Sequence, residues 1–171
     1  MEDGLRVKEI EKTTNHDVKA IEYFLKEKFS EEPKLNDLKE YLHFSCTSED
    51  INNLAYSMML LNSMKEVMLP QLRSLLGRLE AMADTYSEVP MMCRTHGQSA
   101  TPSTVGKEFA NFAYRLRRQI DRLEKIEILG KFNGATGNLN AHMVAFPDKD
   151  WLNISKEFVE GLGVTWNPYT T

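Results

Sequence analysis

The chain has 171 residues, 42% of them hydrophobic and 27% charged, and a formal net charge of −4. That balance suits one globular domain with a sizeable core; it excludes a disordered or fibrous composition and gives no overall attraction for nucleic acid. No run approaches the roughly 18 apolar residues of a membrane span, and "MEDGLRVKEIEK" lacks the apolar stretch of a secretory signal, so an intracellular, cytoplasmic chain with no membrane partner is expected.

In chain order, residues 17–29 read as an amphipathic helix through Val18, Ile21, Phe24, Leu25 and Phe29, and "LNDLKEYLHF" predicts a short helix after Pro33. A long apolar stripe follows. Ile51, Leu54, Met58, Leu61, Met64, Met68, Leu72, Leu75, Leu79 and Met82 advance by threes and fours, with Pro70 expected to kink the helix. At 1.5 Å per residue, a helix over residues 50–85 would run roughly 50 Å, against a radius of gyration of ~15 Å for a compact globule of this length. Such a rod needs further helices to cover it, so oligomerisation is expected. A second stripe, Val105, Phe109, Phe112, Leu116, Ile120, Leu123 and Ile126, has the same spacing, and "WLNISKEFVEGLG" reads as a last helix stopped by glycine. No hairpin signal competes, apart from an extended piece at "VPMMCRT". The fold class is therefore all-α, a long-helix bundle.

Three polar clusters precede helices: "TTNHD", "HFSCTSED" and "RTHGQSATP". Thr14 with Asp17, and Thr47 with Asp50, fit a hydroxyl cap followed three residues later by a carboxylate; Thr101 before Pro102 fits a cap plus first-turn proline. Capping leaves the histidines unexplained, since His16, His43 and His96 each fall in or beside one of these clusters. A helix N-terminus attracts carboxylate or phosphate, and imidazole is the side chain suited to proton transfer near neutrality. Together they suggest a polyanion site with a proton donor. The competing chemistries are weak: Cys46 and Cys93 lack CxxC spacing, His43 and Cys46 have no second pair for a metal, and "GKFNGATGN" lacks the phosphate-loop order and reads as a turn of close backbone approach. Arg115, Arg117, Arg118, Arg122 and Lys125 form a basic face interleaved with Asp121 and Glu124, which favours a solvated or subunit-facing surface over a nucleic-acid site.

The segments "TTNHDVKAIEYFLKEK", "HFSCTSEDINNLAYSMML", "RTHGQSATPSTVGKEFAN", "GKFNGATGNLNAH" and "WNPYTT" together closely resemble the adenylosuccinate lyase family of the fumarase/aspartase superfamily, in its bacterial and plant-like branch. The resemblance implies a helical bundle assembled as a homotetramer, with active sites shared between subunits and no metal or organic cofactor. It implies β-elimination of fumarate from the nucleotides adenylosuccinate, giving AMP, and succinylaminoimidazole carboxamide ribotide in purine biosynthesis. His96 then corresponds to the general acid that protonates the departing nitrogen. Asn15, His16, Asp17, Thr47, Ser48, Thr95 and Gln98 correspond to substrate-binding positions, and His43 to a histidine near the substrate phosphate.

The family's catalytic serine loop, SSxMPxKxNP, and an upstream Arg-Tyr pair have no counterpart here. The chain is therefore expected to be an internal section of such an enzyme and inactive alone, with residues 1–48 closing an N-terminal helical domain and 49–171 opening the central bundle domain. A longer plant-type precursor would imply a plastid destination. The alternative function is a truncated helical assembly module without catalytic activity of its own.

Overall fold

Helix accounts for 64% of the chain and strand for 10% in the computed structural model, which describes residues 1–171. The residues form two compact units, one of Met1–Met59 with Ile128–Thr171 and one of Leu60–Glu127.

In the first unit, α1 (Glu2–Thr14) and α2 (Asp17–Glu31) pack together across a two-residue link. The sequence reading passes over α1 because it buries no residue; its tie to α2 is polar, with the Arg6 guanidinium donating to both Glu27 carboxylate oxygens at 3.0 and 2.6 Å. After Pro33 the expected single helix is instead a short α3 (Pro33–Asn36) and a 3-10 turn (Lys39–Tyr41). Leu35, Leu38 and Tyr41 are all exposed, so no buried stripe sustains a longer helix.

α4 (Ser48–Ser63) supplies the centre of this unit. Leu54 joins Val18, Ala20, Leu139, Val159 and Val164 in the apolar core. Asp50, Asn53 and Ser57, spaced by three and four on the same helix, bind the backbone of residues 129–134: the Ser57 hydroxyl donates to the Leu129 carbonyl, and the Asn53 amide accepts the Lys131 N–H at 2.8 Å and donates to the Lys131 carbonyl at 3.1 Å. That backbone begins as β3 (Leu129–Gly130), paired in parallel with β4 (Thr165–Trp166). Gly137 fulfils the close approach expected of "GKFNGATGN", since a Cβ there would lie 2.2 Å from the Thr170 carbonyl oxygen. α7 (Asn140–Ala145) and α8 (Trp151–Gly161) complete the unit, and Asp150 caps α8 by accepting the Asn153 N–H. Leu162 and left-handed Gly163 then stop α8 as the sequence suggests.

In the second unit, the turn Met64–Met68 is π-helical and leads directly into α5 (Leu69–Thr85). The Leu69 N–H bonds the Met64 carbonyl five residues back. Pro70 has no N–H to give, and the helix takes up the disturbance as one widened turn just before it. β1 (Pro90–Thr95) and β2 (Gln98–Thr104) form an antiparallel hairpin, after which α6 (Val105–Leu123) packs along α5. Pro102 is thus a strand residue opposite Met92, and α6 starts at Val105, with the Thr104 hydroxyl accepting the Lys107 N–H at 3.2 Å. This corrects the Thr101–Pro102 helix start; a two-stranded ribbon has open edges where a proline's missing donor is tolerated.

The seam of α6 also differs from the apolar stripe read in the sequence. Gly106, Ala113 and Ile120 are the buried positions, while Phe112 is 57% exposed. A Cβ on Gly106 would lie 2.4 Å from the Ala83 carbonyl oxygen and 2.6 Å from the Ser87 backbone, so the two helices meet backbone to backbone there. Met68, Leu75 and Met82 of the long stripe likewise remain more than a third exposed.

His142 is fully buried between the Phe132 ring, at 5.2 Å, and the Trp151 ring, at 4.8 Å, and neither ring nitrogen has a hydrogen-bond partner. Burial pushes its pKa below the ordinary histidine value. The unfolded chain therefore takes up a proton near pH ~6.5 while the folded chain does not, so stability held above that pH falls as acid is added toward the folded-state pKa. Urea unfolding at pH 7.5 and 5.5 should show this loss, and His142→Phe should shrink it; an unchanged loss in the variant would contradict the assignment.

Candidate functional site

The residues singled out in the sequence fall into two sets, one in each unit. Asn15, His16, Asp17, His43, Thr47 and Ser48 belong to the first unit, and Thr95, His96 and Gln98 to the second.

In the first set, α1 ends on Asn15 in the left-handed conformation (φ 50°), its N–H bonding the Glu11 carbonyl, and His16 returns to extended backbone (φ −152°) as the N-cap of α2. The cap is the imidazole itself: Nδ1 accepts the Lys19 N–H at 3.3 Å, whereas the Thr14 hydroxyl donates to the His16 carbonyl. Thr14 is therefore not the cap that the spacing suggests. The His16 Nε2 meets the Ser48 hydroxyl at 3.1 Å, so the start of α2 and the start of α4 come together. Asp17 lies beside them, its nearest oxygen 3.3 Å from His16 Nδ1. The Val18 N–H, and after it His16 and the Asn52 side chain, hold the Asp17 carboxyl below its ordinary pKa, which keeps it anionic at neutral pH. Two hydroxyls, an imidazole, an amide and a carboxylate thus share one exposed corner.

Thr47 and Asp50 form the expected carboxylate half of a capping box, with Asp50 accepting the Thr47 N–H at 2.9 Å. Asp50 does more than cap. It is fully buried and also accepts the N–H groups of Asn133 at 3.1 Å and Gly134 at 3.1 Å, with the Lys131 ammonium 2.9 Å away. Sequence reasoning missed this cluster because a carboxylate three residues into a helix looks complete as a cap. The available signal was Asp50, Asn53 and Ser57 lying on the same helical face as the core residue Leu54.

His43 adopts φ 61° and turns inward, with Nδ1 3.4 Å from the Glu22 carboxylate and Nε2 buried without a partner. Burial raises the Glu22 pKa, but the ammonium groups of Lys19 and Lys26, at 2.7 and 3.2 Å, outweigh it and keep the group below the ordinary value. Burial also pushes the neighbouring Cys46 thiol up to about 12, with Asp50 adding to the shift, so Cys46 stays protonated and unreactive at neutral pH.

In the second set, Thr95 pairs with Gln98, which leaves His96 and Gly97 as the two residues of a tight hairpin turn, both with positive φ, 51° and 73°. Such two-residue turns usually carry Asn-Gly, so a histidine at the first position is held in a conformation that most side chains avoid. Its ring is exposed at the hairpin tip. His96 is thus presented by a strand turn, not by a helix start as the sequence reading had it, and the signal was the His-Gly pair between two extended stretches.

A model of the lyase family matches residues 1–171, and the chain belongs to that family. It is 57% identical over 170 residues to adenylosuccinate lyase of Escherichia coli strain K12, covering 99% of this chain and 37% of that protein. It is 56% identical over 169 residues to adenylosuccinate lyase of Haemophilus influenzae strain Rd, again over 99% of this chain and 37% of the relative. The chain therefore spans a little over a third of the length of these relatives. In fold it is similar to a fumarate lyase from Mesorhizobium sp. BNC1, with a TM-score of 0.81 at 23% identity over 96% of this chain and 37% of that one. It is also similar to a 3-carboxy-cis,cis-muconate lactonizing enzyme from Pseudomonas putida, with a TM-score of 0.78 at 21% identity over 94% of this chain and 35% of that one. No helix is long and apolar enough to cross a membrane.

The turn geometry makes a direct prediction. Asn tolerates left-handed backbone and a β-branched residue does not, so His96→Asn should unfold in urea within about 0.5 kcal/mol of the unaltered chain, and His96→Val should be destabilised by roughly 1–2 kcal/mol. Equal stability of the two variants would show that the His96 backbone is not held in that region.

Proposed function

We propose that this chain is a section of an adenylosuccinate lyase, which eliminates fumarate from adenylosuccinate to leave AMP, and from succinylaminoimidazole carboxamide ribotide in the same way. In this reaction a base removes a proton from the β-carbon of the succinyl group, the C–N bond breaks, and the departing nitrogen takes a proton from a general acid. His96 is that acid. A displayed imidazole on a stiff two-residue turn can approach a substrate without rearranging the backbone that carries it.

Asn15, His16, Asp17, Thr47 and Ser48 bind the substrate. The observation that carries this reading is the joining of His16 Nε2 to the Ser48 hydroxyl at 3.1 Å, which gathers donors from two helix starts at one corner. Thr95 and Gln98, paired across the His96 turn, contact the substrate on either side of the acid, and His43 stands near its phosphate. Residues 1–48 close an N-terminal helical domain and residues 49–171 open the central bundle. The chain acts in the cytoplasm as part of a homotetramer whose sites are shared between subunits; the exposed Met68, Leu75, Met82 and Phe112 support a covered, multi-chain bundle. No SSxMPxKxNP stretch occurs in the sequence, so the 171-residue chain alone lacks the family's base and turns substrate over poorly or not at all.

Complementation tests this. The chain is mixed with a full-length adenylosuccinate lyase whose own Thr-His-Gly-Gln histidine has been replaced, and fumarate formation is followed. Activity should reappear in the mixture, be absent with the chain alone, and be absent when the chain carries His96→Asn. Demonstrated co-assembly without fumarate, or robust turnover by the chain alone, would contradict the reading.

A further inference from the structure

The elimination assigns no part to the buried charges of Asp50 and Lys131, yet their geometry converges on the substrate corner. Asp50 is fully buried and Lys131 is 7% exposed. The two Asp50 oxygens receive the Thr47 N–H from the residue just before α4, the Asn133 and Gly134 N–H groups from the facing loop, and the Lys131 ammonium. A carboxylate offers about four acceptor sites, and here all have donors. The same ammonium donates to the Gly134 carbonyl at 2.9 Å, and Asn53 holds the Lys131 backbone through both its polar groups. The start of α4 therefore cannot slide against the loop without leaving buried polar groups unpaired.

From the geometry we infer that Asp50 and Lys131 are positioning residues for the Thr47–Ser48 end of α4 and, through the Ser48 hydroxyl, for the His16 ring. The assignment rests on the reading of Thr47, Ser48 and His16 as substrate contacts. His16 Nδ1 accepts the Lys19 N–H, so in the neutral ring the proton sits on Nε2 and is donated to the Ser48 oxygen. Register of α4 thus sets the partner and the orientation of the His16 Nε2–H, while the Lys19 N–H of α2 holds its tautomer. A pair needed only for stability could be replaced by apolar residues of similar volume, whereas a pair that sets register could not.

The test is Asp50→Asn/Lys131→Gln, which removes both buried charges together, so that neither is left alone. The variant should retain its helical circular dichroism, while amide exchange at Thr47, Asn133 and Gly134 quickens at least tenfold relative to α8. The His16 Nε2 ¹⁵N signal should shift as its Ser48 partner is lost, and the dissociation constant for adenylosuccinate should rise at least tenfold. Asp50→Glu serves as a second variant, since it keeps the charge pair but lengthens the arm; it should displace the His16 signals and weaken binding about threefold. Unchanged His16 signals in a folded variant would overturn the inference, as would faster exchange with unaltered affinity. If the unaltered chain fails to bind adenylosuccinate, the functional reading fails instead; the His16 signals need no ligand and decide the positioning role by themselves.

Discussion

The Asp50 carboxylate is the contact on which the first unit depends. It sits out of water at the start of α4, and its partners come from that helix start, from the loop at residues 133–134 and from Lys131. Removing one member of such a pair typically costs about 3–5 kcal/mol, because the other charge stays buried and unpaired. Asn53 and Ser57 extend the contact down the helix to the backbone of Lys131 and Leu129. An irregular segment is thereby buried with its polar groups satisfied by side chains of one helix, which is how a loop can stand inside a core without regular pairing. The helix that supplies these side chains also carries Ser48 to His16.

The second unit presents His96, the proposed acid, by different means. Gly106 lets α6 touch the end of α5, and two backbone bonds, from Val105 N–H to the Val89 carbonyl and from Gly106 N–H to the Tyr86 carbonyl, fasten the base of the hairpin to that junction. The hairpin then projects His96 at its tip in left-handed backbone. A loop anchored at both strands holds its turn more rigidly than an unpaired segment of the same length, which suits the role proposed for His96. Cross-helix ion pairs such as Arg73–Glu124 are exposed and add little beside the close helix contact.

Much of this was legible in the sequence, and the misses share a cause. The helical stripes at Leu54 and along residues 105–126 announced helices because periodicity is a local property of the chain. Which residues of those stripes are buried was not local: small Gly106 and Ala113 occupy the seam of α6, and large Phe112 does not, because backbone proximity rather than side-chain bulk decides that contact. Pro102 imitated a first-turn proline because the sequence around it, Thr101 before and a helix soon after, satisfies the same rule. His16 appeared as one histidine among three near helix starts, and its role as the cap of α2 follows from a geometry that no spacing encodes. Asp50 met its local role so completely that its partners some eighty residues away left no trace in the pattern.

A crystal structure of the assembled protein with adenylosuccinate bound would show whether His96 and the His16–Ser48 corner serve the roles proposed for them. A His96 ring nitrogen should lie at hydrogen-bond distance from the nitrogen that joins the purine to the succinyl group, with His16 and Ser48 contacting the same substrate molecule. A substrate seated with His96 turned away from that nitrogen, or without contact to the corner where His16 meets Ser48, would contradict it.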